Sequence, residues 1–61
     1  PLYPAGSNVF ISGLTDARYN EKIAQVVNFV ADKERYQVVI GKAAPILVKE
    51  SNLRPSLFGP S

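Results

Sequence analysis

Apolar and polar positions along this chain follow the two-residue period of β-strands in several short runs. The clearest is a long hairpin between Ala24 and Ile40, in which AQVVNFV and YQVVI flank the charged break ADKER. Both runs are rich in Val, Ile, Phe and Tyr, which favour strands. The nearest thing to a helical period is IAQVVNFVADKER, and its density of β-branched residues favours a strand. The pattern therefore predicts a hairpin at the centre of the fold.

Three further strands and two connecting segments complete the predicted fold. Together with the two hairpin strands at residues 23–30 and 36–40, the strands are expected over residues 8–12, 46–49 and 54–57. A long first loop covers residues 13–22, where Thr15 or Asp16 can cap one helical turn and Asn20 suits a left-handed backbone. Residues 50–53 are expected to form a single 3-10 turn. Five short strands predict a small all-β barrel, because closure removes exposed sheet edges.

The barrel is predicted to span residues 8–57, with a turn-rich leader at 1–7 and a tail at 58–61. The chain begins without Met, which predicts that it is a piece of a longer protein or a processed chain. The leader has neither the basic nor the apolar region of a signal peptide. The longest apolar runs are far shorter than the roughly 20 residues that a membrane-spanning helix needs, so no membrane association is expected.

Strand alternation divides the apolar residues between a core and an outer face. It places Gln25, Val27 and Phe29 on one face of the second strand and Ala24 and Val26 on the other. Phe29 and Tyr36 are interpreted as structural. A strand with one buried face ordinarily carries polar residues on the other face, yet several outward positions are apolar. These positions are predicted to bind a partner protein, a neighbouring domain, the terminal segments or a second copy of the chain. The predicted partner-binding residues are Phe10, Val27, Val39 and Leu47, and the predicted core comprises Val9, Ile11, Val26, Val38, Ile40, Val48 and Leu53.

Composition argues against catalysis and against a bound metal or cofactor. The chain has no His and no Cys, so it lacks the usual general base, a thiol nucleophile and the ordinary ligands of zinc. Its glycines are isolated and form no phosphate-binding loop. We therefore expect a non-enzymatic protein without metal or cofactor.

The net charge of +2 comes from bases and acids that are interspersed along the chain. Arg18, Tyr19 and Lys22 lie close together in the first loop and are the candidate nucleic-acid contacts, because basic side chains bind phosphates and aromatic rings stack on bases. Local pairing of Arg18 with Asp16 and of Lys22 with Glu21 is the simpler expectation. Nucleic-acid binding is therefore the alternative to a protein partner.

The framework residues resemble a small Src-homology-3-like barrel of the type found beside MYND-type zinc fingers, ankyrin repeats and other interaction domains. The resemblance covers about residues 8–55 and rests mainly on framework positions. Glu21, Ala24 and Glu34 stand where the family pattern has Gly, which predicts different turn geometry at the two glutamates. The matching residues are Val9, Ile11, Gly13, Leu14, Tyr19, Asn20, Lys22, Val26, Val27, Phe29, Arg35, Tyr36, Val38, Ile40, Ile46, Val48, Lys49, Asn52 and Leu53.

The resemblance implies a non-catalytic interaction or scaffold module within a larger protein or assembly. Recognition of proline-rich peptides is not expected, because the chain has no Trp to build that groove. A methyl-lysine cage is not expected either, because it needs several aromatic rings at one mouth of the barrel.

Overall fold

The computed structural model of the chain describes residues 2–57, and within them the regular elements are β-strands and 3-10 turns. Five antiparallel strands form one sheet in the order β4-β3-β2-β1-β5. The predicted all-β class and the five strands are thereby confirmed. The strands are β1 (Asn8–Ile11), β2 (Lys22–Val30), β3 (Arg35–Val39), β4 (Ile46–Val48) and β5 (Leu53–Pro55), and the 3-10 turns are Ala17–Tyr19, Ala31–Lys33 and Glu50–Asn52.

Strand boundaries differ from the prediction mainly at the C-terminal end. β5 begins at Leu53, because this residue pairs with Ile11 and places its side chain in the core. Two of the 3-10 turns were expected from the sequence, the first capped by the Asp16 side chain, which accepts from the backbone N–H of Arg18. The third, Ala31–Lys33 in the hairpin loop, was not predicted. The predicted tail at 58–61 lies outside the described residues.

The sheet does not close into the predicted barrel within residues 2–57. β4 and β5 are its two edges, and no pairing joins them in that part of the chain. The Glu50–Asn52 turn connects these edges directly. Val48 of β4 and Leu53 of β5 nevertheless share one core, so the sheet is strongly curled. The same residues contain no helix long and apolar enough to cross a membrane.

The core lies on the concave face of this sheet and is entirely apolar among the described residues. The predicted core is confirmed except for Ile40, which follows the end of β3 and is only partly buried. Tyr3 of the leader joins the core and is almost fully buried. The buried side chains are Tyr3, Val9, Ile11, Ala24, Val26, Tyr36, Val38, Val48 and Leu53.

A β-bulge interrupts the alternation of β2. Val26 pairs with Val38 and Asn28 pairs with Gln37, so Val27 is an extra residue on β2. The inserted residue inverts the alternation beyond it. Phe29 therefore turns toward the core, where its ring centroid lies 4.9 Å from that of Tyr36. The prediction that Phe29 shares a face with Val27 is wrong for this reason.

The left-handed positions of the turns also differ from the prediction. Asn20 has φ −73°, and its side chain instead bonds both the N–H and the C=O of Leu14 at 2.8 Å. The next residue, Glu21, is left-handed with φ 61°, and Glu34 has φ 52°. The prediction that these glutamates would avoid glycine-like turn geometry is therefore wrong.

Candidate interaction surface on the outer face of the sheet

The four side chains predicted to face outward lie on the face of the sheet opposite the core. Val27 and Leu47 are 43% and 44% exposed. Phe10 and Val39 are half-buried. Each is adjacent in the sequence to a buried core residue, as Val39 is to Val38. The exposure of Val27 and Leu47 agrees with the outward placement predicted from alternation. Binding of a partner by the four residues stays a prediction.

Strand register joins three apolar side chains into one area. Phe10 pairs with Ile23 across β1 and β2, and Val39 pairs with Gln25 across β2 and β3. Ile23 and Val39 line a shallow cleft of about 50 Å³ together with Gly41. A cleft of this size admits a small apolar side chain rather than a drug-sized ligand.

The other two apolar side chains flank Gln37 on the same face. Gln37 pairs with Leu47 of β4 on one side and with Asn28 of β2 on the other. Because of the bulge, Val27 stands beside Asn28 at this position. We call the five apolar side chains of this face the outer patch, which consists of Phe10, Ile23, Val27, Val39 and Leu47.

Amide side chains separate the apolar members of the outer patch and supply its hydrogen-bonding groups. Gln25 and Gln37 lie between the apolar residues on β2 and β3, and Asn8 pairs with Gln25. The side-chain oxygen of Asn8 is buried and has no hydrogen-bond partner among the described residues. A buried acceptor without a donor is uncommon, and this one adjoins the outer patch.

Charges are distributed unequally between the strands and the loops. The charged residues of the five strands, Lys22, Arg35 and Arg54, are all basic. Arg54 pairs with Phe10 on the outer face, and Lys42 follows Gly41 at the cleft. The acidic residues lie in loops and 3-10 turns: Asp16, Glu21, Asp32, Glu34 and Glu50.

The candidate nucleic-acid contacts of the first loop are partly engaged within the chain. Arg18 donates to the carboxylate of Asp16, from Nε to Oδ1 at 3.0 Å and from Nη2 to Oδ2 at 2.7 Å. These bonds lower the pKa of Asp16 and raise the pKa of Arg18. The guanidinium also lies 5.3 Å from the ring centroid of Tyr19, which is half-buried against the core.

Lys22, at the start of β2, is exposed like Arg18 but has no ion-pair partner within residues 2–57. The predicted ion pair between Arg18 and Asp16 is present, whereas none joins Lys22 to Glu21 within residues 2–57. The first loop thus presents one unpaired cation and a partly covered aromatic ring rather than an open basic and aromatic surface.

A second concavity lies beside the N-terminal segment. Residues 2–7, which we call the N-terminal strap, bond to β2 through Gly6 N–H to Val26 C=O and Val26 N–H to Ser7 C=O, both at 2.8 Å. An open groove of about 360 Å³ lies between the strap and β2, lined by Tyr3, Pro4, Ala5, Asn28 and Phe29.

The buried hydroxyl of Tyr36 anchors the strap. It accepts from the backbone N–H of Leu2 at 2.6 Å and of Tyr3 at 3.1 Å, and it donates to Glu50 Oε1 at 3.2 Å. Burial raises the pKa of the Tyr3 hydroxyl, and the nearby carboxylate of Glu50 adds to the rise. This polar network is structural, because its members satisfy one another.

Comparison with known proteins finds no family model, no curated protein and no solved structure that matches this chain. The described residues also hold no group of three or more His, Cys, Asp or Glu side chains placed to bind a metal ion.

Sequence reasoning missed Ile23, Lys42 and Arg54 as neighbours of the predicted surface. Alternation backward from Val26 places Ile23 outward, so the sequence carried a signal for this residue. The positions of Arg54 and Lys42 depend on the pairing of β5 with β1 and on the cleft at Gly41. Neither contact can be deduced from the period of one strand.

Proposed function

We propose that this domain is a non-catalytic protein-interaction or scaffold module of a larger protein or assembly, with an SH3-like barrel as its fold. The long first loop, the five strands and the 3-10 turn before β5 support the fold. The absence of His and Cys from the sequence supports a non-catalytic role. The protein partner or neighbouring domain would be bound by the outer patch.

One observation carries the proposal: the outer face of the sheet is apolar at five positions. Burying one aliphatic or aromatic side chain contributes about 1.5–3 kcal/mol. The whole stability of a domain this size is on the order of 3–9 kcal/mol. Leaving Val27 and Leu47 in water therefore forgoes an appreciable stabilisation that a partner would recover. Apolar side chains left exposed together on one face of a folded domain mark interaction sites.

The proposal predicts that Phe10→Ser combined with Val39→Ser leaves the fold intact and weakens association. Sedimentation velocity measures self-association, and affinity capture from the source organism measures partner binding. Gln25→Ser combined with Gln37→Ser is the matched control, since it changes the same face without removing apolar surface. Thermal melting followed by circular dichroism establishes that each variant is folded.

Two outcomes would contradict this proposal. If the Phe10 and Val39 double variant unfolds while the glutamine control does not, these side chains stabilise the domain itself. If sedimentation and capture are unchanged in a folded double variant, the outer patch is not the binding surface.

Nucleic-acid binding by the first loop is the alternative function. The stacking of Arg18 on Tyr19 and the exposed Lys22 favour it, whereas the Asp16 carboxylate already neutralises Arg18. Micromolar binding of a labelled single-stranded RNA at low salt would support it if Arg18→Ala and Lys22→Ala each abolish that binding. A steep salt dependence is the expected signature of phosphate contacts.

A further inference from the structure

Two basic residues, Arg54 of β5 and Lys42 of the turn after β3, lie next to members of the outer patch or of its cleft. Arg54 of β5 pairs with Phe10, and Lys42 follows Gly41, which lines the cleft with Ile23 and Val39. Neither basic side chain has an ion-pair or hydrogen-bond partner within residues 2–57. The acidic side chains lie at the loops and turns instead. A ligand on this face would meet apolar groups together with basic side chains that have no ion-pair partner within residues 2–57.

We infer that the partner of the outer patch is an acidic protein segment, in which carboxylates are interspersed with apolar side chains. This inference rests on the proposed function. Carboxylates of the segment would face Arg54 and Lys42, and its apolar side chains would cover Val27, Val39 and Leu47. Charge complementarity of this kind selects the partner and accelerates encounter.

The chemistry of the patch distinguishes a protein segment from a nucleic acid. Four of its five members are aliphatic, and Phe10 alone is aromatic. Single-stranded nucleic acids bind to rows of aromatic rings, on which successive bases stack. Aliphatic side chains and a cleft of about 50 Å³ suit the insertion of a Val, Ile or Leu side chain instead.

The test uses the full 61-residue chain to select from a displayed library of random peptides. The enriched peptides are expected to combine Asp or Glu with Leu, Ile, Val or Phe and to carry net negative charge. A synthetic peptide of the enriched sequence is then titrated by fluorescence anisotropy at low and high salt. Its affinity is expected to fall as salt screens the charges.

Charge reversal at the two bases tests the assignment. Arg54→Glu and Lys42→Glu should each lower the affinity for the acidic peptide by about tenfold or more, because they replace electrostatic attraction by repulsion. Lys33→Glu, at an exposed base of the hairpin loop, is the matched control and should leave the affinity nearly unchanged. Val27→Ser with Leu47→Ser should also weaken binding, and it changes only exposed side chains.

The outcomes separate this inference from the proposed function. Enrichment of neutral or basic peptides whose affinity falls in the Val27 and Leu47 double variant would overturn the acidic partner. The same result would still support the outer patch as the interaction surface. Failure to enrich any peptide, or peptides insensitive to every outer-face substitution, would overturn both. Binding of poly(U) RNA that Arg54→Glu abolishes, without an acidic peptide, would replace the inference by a nucleic-acid ligand on this face.

Discussion

Glu21 and Glu34 hold left-handed backbone conformations that strain an L side chain. Each is held there by a backbone hydrogen bond, from Glu21 N–H to Ile11 C=O at 2.7 Å and from Glu34 N–H to Ala31 C=O at 3.1 Å. A left-handed residue other than glycine costs roughly 1–2 kcal/mol. The sheet and hairpin contacts therefore impose the turn geometry against the local preference of both residues.

Replacing either glutamate by glycine should stabilise the protein. Glu21→Gly and Glu34→Gly are each expected to raise the free energy of unfolding by about 0.5–1 kcal/mol, since relief of strain exceeds the entropic cost of glycine. Urea denaturation measures this change. Lys33→Gly is the control, because Lys33 is exposed but has no positive φ, and it should lower stability. Equal losses in all three variants would show that the glutamate side chains make stabilising contacts.

At the scale of elements, the bulge in β2 decides which side chains form the outer face. It places Val27 and Asn28 together opposite Gln37 and returns Phe29 to the core beside Tyr36. A strand without the extra residue would expose Phe29 if Val27 kept its outward position. The bulge thus allows one strand to contribute to the core at both of its ends.

Deletion of single residues from β2 tests this account of the bulge. Removing Val27 should leave a folded protein with a cooperative melt and a loss of about 1 kcal/mol, because Val26 and Asn28 keep their partners on β3. Removing Gln25 should unfold the chain, because it reverses the faces of the residues that pair with β1. Circular dichroism melting compares the two deletions. Unfolding of both would mean that the bulge itself is required for the fold.

At the scale of the whole molecule, the N-terminal strap completes the core. Tyr3 packs its ring edge-on against Tyr36, with centroids 5.4 Å apart, and its hydroxyl donates to Leu53 C=O at 3.4 Å. The Tyr36 hydroxyl binds the strap backbone in return. One buried side chain of β3 therefore joins the first residues of the chain to Glu50, close before β5.

Tyr36→Phe should lower the free energy of unfolding by about 1–3 kcal/mol, because it leaves strap N–H groups without an acceptor. Tyr19→Phe is the matched control, since the Tyr19 hydroxyl makes no hydrogen bond within residues 2–57. In a chain shortened by residues 1–5, Tyr36→Phe should cost much less. An equal cost in the full and shortened chains would place the effect at Glu50 rather than at the strap.

The sequence by itself determined the five strands, the faces of their residues except beyond Val27 in β2, and most of the core. Val and Ile at alternating positions bury one side of a strand in any antiparallel sheet, so Val9, Ile11 and Val38 could be assigned from period alone. The same period placed Phe10, Val39 and Leu47 outside. Local capping chemistry also sufficed for the turn at Asp16, whose side-chain oxygen bonds an N–H two residues away.

Only the tertiary structure decided the features that depend on pairing between distant segments. The bulge at Val27, the left-handed Glu21 and Glu34, and the docking of Tyr3 each conflict with or escape local preference. Their stabilisation comes from ladder hydrogen bonds and core contacts whose partners lie far away in sequence. The position of Arg54 beside Phe10 follows from the register of β5 on β1, which a one-dimensional pattern does not contain.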